Sequence, residues 1–239
     1  MVGTMNDWLV EDRVAEKSVY VVEIMGLAGT GKTTLANFLS QANQKIRVGV
    51  NLPKISYIPF YLDTAYLLLP AYLTRNWNGR RFSRGEIRAM VYLMAWLKGF
   101  ERRKSDTGKI NILDHGPIYR LAILREFGPE TITSPRLSKW WCRMLNLWAT
   151  TLDMVIWLDA PDAVLLERIR TRNRWHAIKD LPEHAGYGYL MRFRTAFERT
   201  ISMLPTKVRP TIFRLDTDQE TVSRSANRIL TAFSANFNC

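Results

Sequence analysis

Short apolar runs alternate along this chain with longer segments in which apolar residues recur every three or four positions. The runs predict β-strands at residues 19–25, 55–60, 109–113, 153–158 and 211–215. The spacing of apolar residues predicts helices at 32–42, from about 62, 83–104, 118–126, 136–150, from 161, 192–203 and 220–233. Ser83 and Glu86 form a capping-box pattern at the start of the long third helix.

This alternation is typical of an α/β protein. It predicts a doubly wound, mostly parallel five-stranded sheet with helices on both faces. The 239 residues and a hydrophobic fraction of 47% are enough for one sizeable core. Neither an internal repeat nor a long Pro/Gly/Ser linker divides the sequence, so a single domain over residues 1–239 is expected.

A glycine-rich turn between the first strand and the first helix matches the pattern GxxxxGK[ST]. Glycines let the backbone approach an anion, and successive N–H groups then point at phosphate oxygens near the positive end of the helix. Lys32 is expected to reach the β- and γ-phosphates of ATP, and the Thr33 hydroxyl is expected to bind Mg²⁺. The motif predicts a P-loop NTPase fold, and its expected nucleotide-binding residues are Gly26, Leu27, Ala28, Gly29, Thr30, Gly31, Lys32, Thr33 and Thr34.

Asp114 ends the strand predicted at 109–113. Ligands lie at the carboxyl ends of strands in open parallel sheets, so this carboxylate is expected near Mg²⁺ or near the acceptor, as a metal ligand or a general base. A turn-forming aspartate before Gly116 and Pro117 is the alternative interpretation. His115 follows it in place of an acid, which favours phosphoryl transfer over hydrolysis, and Arg120 is interpreted either as a substrate contact or as a solvated arginine.

An arginine cluster follows the fourth strand. Arg168 and Arg172 share one helix face, and Arg170 and Arg174 share another. The segment then continues into residues 181–188, which are expected to form a loop with glycine hinges. A mobile arm of this kind could close over a triphosphate, so residues 168–190 are predicted to be a lid whose arginines stabilise the transferring group. A basic helix face in solvent or on nucleic acid is the alternative.

These segments resemble thymidylate kinases and deoxynucleoside kinases. The resemblance rests on the phosphate loop, on Leu-Asp-His at 113–115, and most closely on residues 157–174, where a strand ends in Leu-Asp before a proline and Glu-Arg-Ile leads into an arginine-rich lid. Residues 189–199 are similar to the helix after the lid, and residues 213–218 to the last strand and the loop beside the adenine. The resemblance covers about residues 18–48, 108–120 and 153–233.

The resemblance implies Mg²⁺-ATP as the phosphate donor and a small acceptor. It gives lid roles to Arg168, Arg172 and Arg174, and it places Asp216 and Thr217 beside the base of ATP. Those families show an Asp-Arg or Glu-Arg-Ser element where this chain has Asp-His-Gly at 114–116. Asp63 is the nearest match to the acid that the families carry after the second strand, and it is a second candidate for orienting the acceptor hydroxyl.

Residues 62–104 are predicted to build a helical acceptor side. Aromatic and arginine side chains suit an acceptor with a flat ring and negative charge, although a core helix with solvated arginines is the alternative. The candidates are Tyr61, Asp63, Tyr66, Tyr72, Arg75, Trp77, Arg80, Arg81, Arg84 and Arg88. Trp140, Trp141 and Trp148 are spaced for one helix and are interpreted as core or as an interface, which leaves a homodimer open.

The net charge of +12 favours anionic partners, whether nucleic acid, an anionic membrane or phosphorylated small molecules. The apolar stretches at 65–74 and 89–97 are too short to span a bilayer, and the acidic first 17 residues do not suggest a signal peptide. The only cysteines, Cys142 and Cys239, predict no disulfide framework, and Cys142 is expected in the core. A reduced, cytoplasmic environment is therefore expected.

Three classes of function fit the sequence. The favoured class is a small ATP-dependent kinase that acts on a nucleoside or nucleotide. The second is a nucleic-acid-directed kinase or ATPase, which the net charge supports. The third is a non-catalytic nucleotide switch, for which the guanine-reading Asn-Lys-x-Asp of GTPases is missing from the sequence. A P-loop sulfotransferase is a remote fourth class, because its loop usually lacks the Gly-Lys-Thr ending.

Overall fold

A computed structural model describes residues 19–73, 80–102 and 108–237. Its sheet contains five strands, β1 (Val19–Gly26), β2 (Ile46–Val48), β3 (Lys109–Asp114), β4 (Met154–Asp159) and β5 (Thr211–Asp216). The strand order is β2-β3-β1-β4-β5, and all four pairings are parallel. This confirms the doubly wound α/β fold expected from the alternating pattern.

Eight α-helices lie within the described residues. They are α1 (Lys32–Ala42), α2 (Ile58–Leu73), α3 (Arg84–Arg102), α4 (Pro117–Phe127), α5 (Pro135–Thr151), α6 (Asp162–Thr171), α7 (Glu183–Ser202) and α8 (Val222–Asn236). Short 3₁₀ helices occupy Lys54–Tyr57, Glu130–Thr133 and Thr206–Val208. Along the described ranges, no helix combines the length with the apolar character that a bilayer crossing requires.

The sheet separates two apolar clusters, because successive side chains of a strand point to opposite faces. In β1, Val21 and Met25 pack into the cluster that contains α4 and α5, while Val22 and Ile24 pack into the cluster that contains α1 and α8. Trp140, Trp141 and Trp148 are buried in the first cluster, as a core role predicts. Cys142, on the same helix, is exposed, so its predicted core position is wrong.

The predicted strand at 55–60 is wrong. These residues form the 3₁₀ helix Lys54–Tyr57 and the first turn of α2. Pro59 is the second residue of α2, where a missing backbone N–H removes no helical hydrogen bond. The second strand is instead Ile46–Val48, a three-residue edge strand too short to give a hydrophobic pattern in the sequence.

The predicted loop with glycine hinges at residues 181–188 is also wrong. The helix α7 begins at Glu183 and contains both Gly186 and Gly188. Gly186 is buried at the contact with α6, where an added Cβ would lie 2.9 Å from Leu166 Cδ1. The glycine therefore allows close helix packing, and the irregular connection between α6 and α7 is confined to residues 172–182.

Candidate active site

The turn after β1 has a backbone that only glycine adopts readily. Gly29 and Gly31 have φ values of 88° and 82°, and Gly26 has a φ of 153°. A Cβ on Gly26 would lie 2.4 Å from the Leu158 carbonyl oxygen, which leaves no room for a side chain. Gly31 directly precedes α1, so the turn presents its N–H groups at the positive end of this helix.

Lys32 is buried inside this loop. Its Nζ donates to the carbonyl oxygens of Gly26 and Leu27, both at 2.9 Å. Burial lowers the pKa of Lys32 to about 8, Asp114 opposes this shift, and Arg172 adds to it. The loop therefore holds a cation whose charge the neighbouring groups compensate only in part.

Thr33 and Asp114 are brought together from separate parts of the chain. Thr33 Oγ1 donates to Asp114 Oδ2 at 2.9 Å. The contact follows from the topology, because β1 and β3 are adjacent and Ile24 pairs with Asp114 just before the loop. Burial opposes ionisation of Asp114, but contacts from His115, Thr33 and Lys32 outweigh it and hold the carboxyl pKa below its usual range.

This pair of oxygen ligands fits Mg²⁺. The ion is typically held by one or two protein oxygens together with water and substrate phosphates, so a larger protein cage is not required. The described ranges contain no group of three or more His, Cys, Asp or Glu side chains placed to share a metal ion. A depressed carboxyl pKa keeps Asp114 in the anionic form that binds a cation.

His115 extends the polar chain on Asp114. Its Nδ1 lies 3.0 Å from Asp114 Oδ1, and its ring contacts Tyr119 edge-on, with a centroid distance of 4.4 Å. It is the only non-glycine residue in the described ranges with a positive φ, at 57°. Such a backbone is unfavourable for a bulky residue and is often retained where it places a side chain.

A cavity of about 880 Å³ lies over the phosphate loop. It is lined by the loop and by three of the arginines singled out in the sequence, Arg168, Arg172 and Arg174. Arg172 Nε is buried and lacks a hydrogen-bond partner, a costly arrangement unless something binds there. Arg170 points elsewhere and donates to the Leu181 carbonyl oxygen at 3.0 Å.

A smaller cavity of about 210 Å³ lies beside the first, between α1 and α8. Arg168 lines both cavities and donates to Thr217 Oγ1 and to the Thr217 carbonyl oxygen, each at 3.1 Å. Thr217 lines this recess, whose volume would accommodate part of a base. Asp216 is exposed and does not line the recess, and its carboxylate accepts from the Asp218 amide at 2.9 Å.

Sequence reasoning missed Glu23. This carboxyl group is fully buried on β1, where its two oxygens accept from the amides of Ile118 and Tyr119 at 2.7 and 2.9 Å. Burial raises its pKa to about 7, and the two amide hydrogen bonds offset burial only in part. Glu23 thus caps α4, which begins at Pro117, shortly after Asp114 ends β3. The signal was present in the sequence, since Glu23 is an acid inside an otherwise apolar strand.

The aromatic wall of the larger cavity was missed as well. Tyr119 of α4 and both Tyr189 and Phe193 of α7 line it opposite the loop. Tyr189 and Phe193 pack with a ring-centroid distance of 4.6 Å. Their spacing in the sequence resembles that of ordinary core positions on a helix, so the sequence gives no separate signal for them.

The predicted acceptor side at residues 62–104 does not line this cavity. Asp63 is exposed on α2 and is not part of the cavity lining that includes Lys32. Tyr61, Tyr66 and Tyr72 are exposed, while Arg80 pairs with Glu86 at the start of α3. Arg84 and Arg88 are exposed and lie away from the lining, and Arg75 and Trp77 lie outside the described residues.

Arg120 is neither solvated nor in the cavity lining. Its guanidinium lies over the rings of Tyr92 and Trp96, with centroid distances of 4.9 and 4.7 Å. Burial lowers its pKa, and the charge of Glu23 is the largest opposing influence. Its Nε has no hydrogen-bond partner.

Solved structures of P-loop kinases share this architecture. Thymidylate kinase from Candida albicans superposes with a TM-score of 0.56 at 18% identity, covering 92% of each chain. Deoxyadenosine kinase from M. mycoides, in a structure with the products dCMP and a flexible dCDP bound, gives 0.52 at 16% identity and covers 90% of this chain and 99% of that one. No protein-family model and no curated protein sequence matches. This chain has the α/β fold of the P-loop nucleoside and nucleotide kinases.

Proposed function

We propose that this protein is a phosphotransferase that moves the γ-phosphoryl group of Mg²⁺-ATP to a small acceptor, a nucleoside or a nucleotide. The observation that carries this proposal is the contact between Thr33 and Asp114, 2.9 Å apart at the phosphate loop, because Thr33 lines the same cavity as Lys32 and three arginines. Residues 81 positions apart in the chain supply a hydroxyl and a carboxylate at the same point of the phosphate loop. A glycine-rich turn without function would not require this arrangement.

Each of the two cavities would bind a different part of the proposed substrates. The recess beside Thr217 would take part of the adenine ring of ATP, and Arg168 would lie between the base and the phosphates. The larger cavity would take the phosphates and the acceptor. Its wall of Tyr119, Tyr189 and Phe193 offers ring faces and edges against which a flat base could stack.

Charge stabilisation would come from fixed cations. Phosphoryl transfer spreads negative charge over the transferring oxygens, and donors that are already in place stabilise it without reorganisation. Lys32 is held in the loop by two carbonyl oxygens, and Arg172 has an unpartnered Nε at the cavity. Thr33 and Asp114 would hold Mg²⁺, whose charge would offset part of the negative charge of the phosphates.

Asp114 would have a second role at the acceptor. Its carboxylate stays ionised because His115, Thr33 and Lys32 lower its pKa, so it can accept a hydrogen bond from an acceptor hydroxyl near the loop. Asp63 is the weaker candidate for this role, because it is exposed on α2, whereas Asp114 is hydrogen-bonded to Thr33 of the phosphate loop. Because the reaction consumes ATP, we place the protein in the cytoplasm.

The test is ADP release by the full chain with a panel of acceptors: nucleosides, nucleoside monophosphates, sugars and oligonucleotides with a free 5′ hydroxyl. Stimulation by one nucleoside or nucleotide is expected. Stimulation by oligonucleotides alone would assign the protein to the nucleic-acid-directed class, and such binding would weaken steeply as salt rises. Tight ATP binding without turnover for any acceptor would contradict a kinase and favour a switch.

A further inference from the structure

The solvent-facing side of α2 is an apolar stripe. We define the α2 stripe as Ile58, Tyr61, Leu62, Tyr66, Leu69 and Leu73, whose spacings of three and four place them along one helix face. Leu62, Tyr66 and Leu73 are 67%, 73% and 73% exposed, and the other three are also exposed. Thr64 and Leu68 face the opposite way and are buried. The helix thus shows apolar side chains to both the core and the solvent.

Such a stripe is unusual on a folded chain. The 16 residues of α2 span roughly 24 Å at 1.5 Å per residue, so the stripe is a long ridge and not an isolated side chain. Contiguous exposed apolar surface of this kind commonly marks a protein or membrane contact. These side chains line neither of the two cavities at the phosphate loop, so the stripe is separate from the candidate active site.

Cations flank the stripe at fixed positions. Pro70 has no backbone N–H, so the Tyr66 carbonyl oxygen loses its partner four residues along the helix. Arg136 Nη2 donates to this oxygen at 3.3 Å, and its guanidinium lies 5.2 Å from the Tyr66 ring centroid. Arg81 lies 6.0 Å from the ring centroid of Tyr72, also on α2. The irregularity at Pro70 therefore anchors a positive charge beside the apolar ridge.

The surroundings add positive charge and little negative charge. Lys54 is exposed just before α2, and Asp63 is the only acid within the helix. Helix α5, which contacts α2 through Arg136, carries exposed Arg136, Lys139 and Arg143 and no acidic residue. The helix α3 also packs on α2, and its acids Glu86 and Glu101 are paired with Arg80 and Lys98. Helix α2 itself contains no Lys or Arg, so the positive charge comes from its neighbours; exposed apolar area together with nearby cations is a combination that binds anionic bilayers.

We infer that the α2 stripe docks the protein on the surface of an anionic phospholipid membrane. The leucines and Ile58 would enter the boundary between headgroups and acyl chains, and the tyrosine rings would lie at headgroup level, where their apolar rings and polar hydroxyls are both satisfied. Arg81 and Arg136 would meet lipid phosphates at the same depth.

Charge complementarity favours an anionic membrane over a second copy of the chain as the partner of the α2 stripe. A two-fold contact places the same surface on both sides. Two stripes face to face would therefore bring Arg81, Arg136 and Lys54 of both copies to one interface, with Asp63 as the only acid of α2 to offset them. An anionic surface neutralises these cations instead.

The test is co-sedimentation of the full chain with phosphatidylcholine vesicles and with mixed phosphatidylserine and phosphatidylcholine vesicles. The triple variant Leu62→Gln, Leu69→Gln, Leu73→Gln should lower binding to the mixed vesicles more than about tenfold, because it removes apolar groups from the bilayer boundary. The control variant Met203→Gln, Val208→Gln changes two exposed apolar residues elsewhere and should bind like the wild type. Thermal unfolding of each variant verifies that it is folded.

The electrostatic part is tested separately. Arg81→Gln and Arg136→Gln should each weaken binding to mixed vesicles about fivefold. Equal binding of the wild type to pure phosphatidylcholine vesicles would overturn the anionic specificity. Absence of binding to either vesicle type would overturn the inference as a whole. A wild-type dimer that the triple variant dissociates, together with no vesicle binding, would assign the stripe to a second copy.

Discussion

The ammonium group of Lys32 donates hydrogen bonds to two carbonyl oxygens of its own loop, and these contacts fix the position of the main cation of the site. Its pKa of about 8 reflects a charge that burial disfavours. A bound polyphosphate would supply the missing negative charge at the same place. Lys32 would then both bind the donor and stabilise the charge that develops during transfer.

Lys32→Ala should lower turnover by at least about a hundredfold, because one preorganised charged donor at a developing charge contributes roughly that factor or more. The matched control is Lys45→Ala, which removes an exposed lysine from the same region of the chain. Steady-state ATP consumption with the best acceptor measures both variants. Near-wild-type turnover of a folded Lys32→Ala protein would contradict the assigned role.

At the scale of elements, the start of α4 is held by a buried carboxylate. Glu23 accepts hydrogen bonds from the first backbone N–H groups of α4. Gly116 leaves space for the Glu23 side chain, since a Cβ at this position would lie 2.7 Å from Glu23 Cδ. Asp114 and His115 form the turn immediately before this junction. The packing of Glu23 against α4 therefore positions the polar groups of the site.

Gly116→Ala should destabilise the fold by about 1–3 kcal/mol. The added methyl group would displace the carboxyl group of Glu23, which is fully buried and accepts two hydrogen bonds. Gly188→Ala is the paired comparison. It adds a methyl inside α7, where no atom lies within 4 Å, and should stabilise the fold by about 0.5–1 kcal/mol. Urea unfolding midpoints measure both, and equal shifts of the same sign would contradict the two assignments.

The strand β1, the glycine-rich loop and the positions of Asp114, Arg168 and Arg172 close to that loop were predictable, because local pattern and strand order determine them. The strand β2 was not, because a three-residue edge strand has too few positions for a hydrophobic pattern. The start of α7 at Glu183 was not predictable, because a glycine such as Gly186 is also typical of a hinge. In the structure, its small size allows contact with Leu166. The aromatic wall depends on how α4 and α7 pack against each other. Local sequence patterns do not predict this tertiary contact.

At the scale of the whole molecule, the site lies where the sheet reverses its winding. From β1 the chain adds β2 and β3 on one side and β4 and β5 on the other, so the carboxyl end of β1 borders both halves. Ligands of open α/β sheets bind in this crevice. The two apolar clusters fix the sheet from both faces, and the connection at residues 172–182 is the irregular part above the site.

Glu23 should make global stability depend on pH. Its pKa is about 7 when folded and near 4.5 when exposed, so the folded chain holds the proton more tightly. The stabilisation from this group is complete below about pH 4.5 and is lost as the pH rises through about 7. Between about pH 5 and 8, the wild type should lose on the order of 2 kcal/mol relative to Glu23→Gln. Parallel pH profiles of the two proteins in denaturant unfolding would contradict this.

Phosphoryl transfer to a small acceptor is tested by following the transferred group itself. ATP labelled with ¹⁸O in its γ-phosphoryl group is incubated with the full chain, Mg²⁺ and the acceptor that stimulates ADP release, and the products are analysed by mass spectrometry. We predict labelled phosphate on the nucleoside or nucleotide, and its loss in Lys32→Ala. Label found only in inorganic phosphate would show hydrolysis and contradict phosphoryl transfer to a small acceptor.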